Sequence, residues 1–229
     1  MGYDITSKSP GTIEREKDRS LQNTGFAGIW TFYWRLLLVL EQEGLILLVP
    51  KLIELLEKEI DDPRVRFKMF NISDVKVEER VRLKCMVPPC PDYGRRKFCP
   101  PNLPDLDFIR KAISQYNGGV LVSLTIPFSS EVMAEVKQFR PHLELMKIIG
   151  RCEKIACEKV NHLAFGLTVG GCNLCEECTP KDEPCRHPLE ARPGADGFGI
   201  DVTTLARKLG VNIEWPVKTE LNFLGMIFI

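Results

Sequence analysis

Apolar positions recur along the chain in two rhythms: a helical spacing near 3.6 residues, and short β-branched runs bounded by Gly or Pro. Lys51–Ile60 (KLIELLEKEI) sets Leu52, Leu55, Leu56 and Glu59 at helical spacing and stops at Asp61-Asp62-Pro63, which predicts a short amphipathic helix. Arg66–Arg82 alternates irregularly and predicts one or two strands. Pro104–Tyr116 gathers Phe108, Ile109, Ala112, Ile113 and Tyr116 on one face, with Pro in the first turn, a helical pattern. Gly118-Gly119 breaks it, and Val120–Ile126 (VLVSLTI) reads as a strand. Ser130–Phe139 and Pro141–Asn161 are helical, with Pro141 restarting the helix. Ala164–Val169 is a second strand, Asp201–Leu209 a helix closed by Gly210, and Val211–Trp215 and Leu221–Ile229 two last strands. Cys85–Pro101 and Gly170–Gly199 read as loops, rich in Pro, Gly and Cys. Strands alternating with helices long enough to cross over predict an α/β fold, with a mixed sheet, crossover helices and two cysteine-rich metal-binding loops.

Composition narrows the picture. The chain has 229 residues, 44% hydrophobic and 27% charged, enough for one domain or a domain with an appendage. Lys and Arg (31) balance Asp and Glu (31), which argues against a nucleic-acid partner held by bulk charge. Residues 1–50 read as an N-terminal extension, partly disordered, and 51–229 as a metal-binding α/β domain. The first 28 residues are polar and of mixed charge, unlike an export signal. Ile29–Leu40 is apolar but carries Arg35, and Glu41-Gln42-Glu43 separates it from Leu45–Val49. Neither stretch approaches the roughly 20 apolar residues of a spanning helix. Trp30, Phe32, Tyr33 and Trp34 leave an aromatic helix that can dock on a membrane surface or a protein through residues 29–49, or simply pack. The expected compartment is the cytoplasm, reducing, with thiols free.

Nine cysteines are the unusual number, and an odd count excludes a fully paired disulfide framework. Seven fall in two windows. The first is Cys85-x4-Cys90-x8-Cys99, within KCMVPPCPDYGRRKFCPPN. The second is Cys172-x2-Cys175-x2-Cys178-x6-Cys185, within GCNLCEECTPKDEPCRHP. Three cysteines at successive spacings of three wrap a loop around one small object, so that each thiolate can reach a different iron of a cubane; ferredoxins begin the same way. Structural zinc more often uses two separated C-x2-C knuckles, and it stands as the alternative. The first window offers only three thiolates. These suit a cubane with an open or non-cysteine fourth position, a zinc completed by a histidine or water, or a purely structural site. An open position would make it a reactive site, with Asp92 or Tyr93 nearby as acid–base or positioning groups.

A cluster with its thiolates is anionic and attracts cationic neighbours. Arg95, Arg96 and Lys97 lie in the first window, and Arg186, His187 and Arg192 follow the second, though surface charge explains Arg95–Lys97 nearly as well. Cys152 and Cys157 sit on the Pro141–Asn161 helix about 140° apart, too divergent to clamp one ion, and read as core thiols. If the first site has a fourth cysteine, it is one of these. His142 and His162 read as surface or helix-end residues, and His187 is the histidine placed for a metal role. No dinucleotide fingerprint, P-loop, nucleophile elbow or H-E-x-x-H motif is present, so no enzyme class is indicated.

From about Lys51 to the C-terminus the chain resembles a family of predicted metal-binding proteins of archaea and bacteria, a domain of unknown function. The likeness rests on RLKCMVPPCPDYGRRKFCPPN, GGCNLCEECTPKDEPCRHPLEARP, GIDV at Gly199–Val202 and the strand-like C-terminus. It departs after Arg192-Pro193, where Gly194-Ala195-Asp196-Gly197 stands in place of a Ser-Met-Glu-Ala segment. The resemblance implies metal binding, of iron–sulfur type, at Cys85, Cys90, Cys99, Cys172, Cys175, Cys178 and Cys185; it supplies no reaction. The expectation is a [4Fe–4S] protein that transfers electrons to a redox partner protein, with a second cluster possible at the first window. A metal-open enzyme and a zinc-stapled interaction module are the alternatives.

Overall fold

A computed structural model describes residues 48–137 and 140–229. The expectations for the N-terminal tail and the aromatic helix at residues 29–40 lie outside the described residues.

Helix α1 (residues 48–60) buries Val49, Leu52, Leu56 and Ile60 along one stripe. Glu59, expected on that stripe, is exposed. Strand β1 (Val65–Asn71) follows, then a short 3-10 turn and α2 (Glu79–Met86). The Arg66–Arg82 stretch therefore holds one strand and the start of a helix. Cys85, expected in a loop, lies in the last turn of α2. Helix α3 (Leu106–Ile113) is capped by Asp105, whose carboxylate accepts the Phe108 N–H at 2.8 Å. The chain continues through β2 (Gly118–Pro127), α4 (Ser130–Lys137), α5 (Arg140–Lys159), β3 (Phe165–Leu167), α6 (Val202–Lys208) and β4 (Glu220–Phe228).

The four strands form one sheet in the order β1-β2-β4-β3, and every pairing is antiparallel. The expected mixed sheet is thus corrected. A crossover does exist, because β2 and β3 both run opposite to β4 and α5 connects them. The C-terminal strand inserts between them, with Gly119 opposite Phe228 and Pro127 opposite Glu220, and so removes the parallel contact. A Cβ on Gly119 would run into the Ile227 carbonyl oxygen, so the close approach of β2 and β4 requires glycine there.

Strand alternation feeds two apolar layers. Val120, Val122, Leu124 and Ile126 of β2 and Phe223 and Ile227 of β4 pack under α1 and α5, against Leu56, Leu145, Ile149 and Cys152. Leu121, Leu224, Met226 and Phe228 face the other way, onto Ile109 and Ile113 of α3 and Leu205 of α6. Both faces of the sheet are covered, giving three layers. The expected strand Val211–Trp215 does not form. The Glu214 carboxylate instead accepts the Lys218 and Thr219 N–H groups and closes a turn there.

Candidate metal centre

The two cysteine windows, far apart in sequence, meet at one end of the sheet. Cys85 closes α2, and the chain then folds back in successive turns: Cys90 N–H donates to the Cys85 carbonyl (3.0 Å), Tyr93 to Cys90 (3.0 Å) and Cys99 to Arg96 (3.2 Å). From the other side come Gly170 and Gly171, which leave β3, and the Gly194–Gly199 turn. That turn is tied to the end of β3 by Thr168 N–H to Pro193 O (2.9 Å) and Ala195 N–H to Thr168 O (2.7 Å). The resulting cavity is lined by Cys85, Cys90, Cys99, Asp92, Tyr93 and Asp196, among others.

A second cavity is lined by Cys172, Cys175, Cys178 and Cys185, together with Arg186 and His187. The His187 backbone N–H donates to the Cys185 sulfur at 3.4 Å. Arg186 donates to the Glu177 carbonyl at 2.8 Å, closing the loop on itself. Cys172 anchors the loop by packing with Met146 of α5 and Ala191. Phe98 lines both cavities. Gly171 adjoins Cys172, and a Cβ placed on it would lie 3.4 Å from the Cys99 sulfur. The two cysteine sets are therefore neighbours.

Arg96 and Lys97 join them. Arg96 pairs with Asp92 (3.1 Å) and donates to the Cys175 carbonyl (2.7 Å) and Asn173 Oδ1 (3.3 Å). Lys97 Nζ donates to the carbonyls of Pro180, Lys181 and Glu183. These two cations are loop staples. Arg95 is exposed, and Arg192 pairs with Glu153 of α5 at 2.7 Å instead of facing either cysteine set. Cys152 is fully buried in the core under the sheet, and the Cys157 thiol donates to the Ala164 carbonyl at 3.6 Å. Neither lines either cavity, so neither completes the three-cysteine set. His162 is exposed, as expected. His142, expected on the surface or at a helix end, lies in the first turn of α5, partly buried and edge-on to Phe223 with ring centroids 5.1 Å apart.

The donor chemistry fits a soft cation. All nine thiols are free. Burial pushes Cys99 up to about 12, and the negative neighbours Asp92, Asp196, Cys90 and Cys85 add to it. Cys85 is raised by burial, then by Asp196 and Cys90, with Arg82 opposing. Cys172 is raised by burial, a hydrogen bond to Leu174 opposes, and Cys178, Cys185 and Cys175 push it up further. In each cavity the thiolates penalise one another, and in the first the carboxylates add to that, a cost that a bound cation removes. Arg82 Nη2, buried near Cys85, also lacks a hydrogen-bond partner. Among the described residues, no three His, Cys, Asp or Glu side chains are grouped tightly enough to close on a single bare ion as they stand.

A family model described as a predicted metal-binding protein, DUF2284, matches residues 68–229. The chain belongs to this family. No curated protein and no solved structure matches it. As a DUF2284 protein the chain is a predicted metal binder, and the matched span contains all seven windowed cysteines. Sequence reasoning found those cysteines but missed Phe98 and Gly171. Phe98 stands beside Cys99 and Gly171 beside Cys172, and that adjacency was the one available signal.

Proposed function

We propose that this protein carries a [4Fe–4S] cluster on Cys172, Cys175, Cys178 and Cys185 and a second metal centre on Cys85, Cys90 and Cys99, and that it transfers electrons between them and a partner protein. The observation that supports this best is the adjacency of the two sets: one side chain, Phe98, lines both cavities. Electron tunnelling falls off steeply with separation, so neighbouring centres form a usable relay. The four-thiol set, with its C-x2-C-x2-C start, suits a cubane. No helix among the described residues is long and apolar enough to cross a membrane. A reducing cytoplasm, in which free thiols persist, is part of the proposal.

Anaerobic purification tests it. The expected product is brown, contains iron and acid-labile sulfide, and gives an EPR signal on reduction. A colourless protein with zinc and no sulfide would replace this reading with that of a zinc-stapled interaction module.

The first cavity supports a second reading. It has three thiols, with the Asp92 carboxylate and the Tyr93 phenol on its wall. A metal with an open position there would have an acid–base group beside it, the arrangement of a metal-dependent enzyme fed electrons by the other cluster. Exchange of the first-site metal without change in any activity found would remove this reading.

A further inference from the structure

We propose that the Asp196 carboxylate is the fourth protein ligand of the metal held by Cys85, Cys90 and Cys99. This rests on the proposed first metal centre and names the group that completes it.

The cavity wall limits the choice. Besides the three thiols, its side chains with donor atoms are Asp92, Tyr93 and Asp196; no histidine and no fourth cysteine among the described residues lines it. Asp92 is already committed. Arg96 neutralises it at 3.1 Å, and its Oδ2 lies against the Gly171 backbone, 2.6 Å from where a Cβ would stand. Asp196 has no Lys or Arg partner among the described residues. Its electrostatic neighbours include the Cys85 and Cys99 thiols. A carboxylate facing thiols across a shared cavity, with no Lys or Arg paired to it, is an arrangement that a metal ion completes.

The position is also built. The Gly170 N–H donates to Asp196 Oδ1 at 3.1 Å, orienting the carboxylate. A Cβ on Gly194 would collide with that same oxygen, so the turn leaves room for it. The Asp196 carbonyl accepts from Gly199 at 2.9 Å, and the Ala195 carbonyl from Ile200 at 2.8 Å, fixing the turn on both sides. Arg82 donates from Nε to the Gly197 carbonyl at 2.9 Å. Arg82 precedes Cys85 by three residues on α2, so the helix that presents Cys85 is docked on the turn that presents Asp196. The two segments that carry the thiol and the carboxylate are thereby tied together. One oxygen ligand among three thiolates gives the first centre a harder, more weakly held position than the all-thiolate second centre.

The test uses the full chain purified anaerobically, with metal content per chain, the rate of metal loss to a chelator and the charge-transfer spectrum as readouts. Asp196→Asn is expected to lose the first-site metal about tenfold faster or more, while second-site content stays unchanged. Asp196→Cys is expected to restore retention with a more thiolate-rich spectrum. Wild-type retention and spectrum in Asp196→Asn would overturn the assignment. If Asp196→Asn fails to fold by circular dichroism, a folded Asp196→Cys whose spectrum matches wild type overturns it equally. A Cys85→Ser, Cys90→Ser, Cys99→Ser triple variant with wild-type metal content would show instead that the first centre itself does not exist.

Discussion

Replacing Arg96 with alanine is expected to loosen both cysteine loops at once. The Arg96 and Asp92 side chains are only 14% and 21% exposed, so solvent screens the pair weakly. A hydrogen bond to a charged group contributes about 1.5–3 kcal/mol, and breaking a fully buried pair costs about 3–5 kcal/mol. The residual exposure of this pair places the expected loss at about 2–4 kcal/mol. Two further effects act in the same direction. Asp92 is left as an uncompensated charge beside the Cys99 thiol, and the Cys175 carbonyl loses its donor. Urea unfolding of the metal-free protein, followed by far-ultraviolet circular dichroism, measures the loss as a lower midpoint at unchanged slope. In the metal-loaded protein, chelators should extract metal faster from both sites. Arg96→Lys should recover less than half of the loss, because an ammonium group cannot span Asp92, Cys175 and Asn173 together. A loss below about 0.5 kcal/mol, with metal release unchanged, would refute the view that Arg96 staples the loops, since it would match an ordinary surface substitution.

Gly119→Ala should cost about 3 kcal/mol or more, or abolish soluble expression, because its methyl group meets the Ile227 backbone in the central strand pair; thermal unfolding checks this. The Cys152 thiol, pushed up to about 12 by burial, makes stability fall with alkaline pH. Its contribution is intact below the ordinary thiol value of 9.0, where both states are protonated, and is lost as pH rises toward about 12, because the unfolded chain ionises first. Cys152→Ala should flatten that part of a stability–pH profile. Metal removal should leave the sheet and its two apolar layers folded while residues 85–101 and 170–199 become protease-sensitive, since those loops hold few buried apolar residues; limited proteolysis with mass mapping reads this directly.

Local chemistry was legible along the chain. The stripe of Leu52 and Leu56, the Asp201–Leu209 helix closed by Gly210 and the run Val120–Ile126 declare their elements through neighbours a few residues away. The cysteine windows declare themselves the same way, because each set of thiols is local. Where local pattern and tertiary demand diverged, the pattern misled. Val211–Trp215 alternates like a strand, but the Glu214 carboxylate closes a turn with Lys218 and Thr219 instead. Cys85 stands three residues before Pro88-Pro89 yet belongs to a helix, because α2 continues until Val87.

The sequence alone determined that seven thiols come as a three and a four, that two more ride on a helix, and that most helices and strands begin and end where they do. Only the tertiary structure decided that β4 enters between β2 and β3, that the two cysteine sets share Phe98, and that Asp196 faces the first set. The physical reason is range. Helix spacing, caps and ligand motifs act over a few residues, whereas strand partners and loop contacts are chosen by burial and hydrogen bonding between segments far apart in the chain.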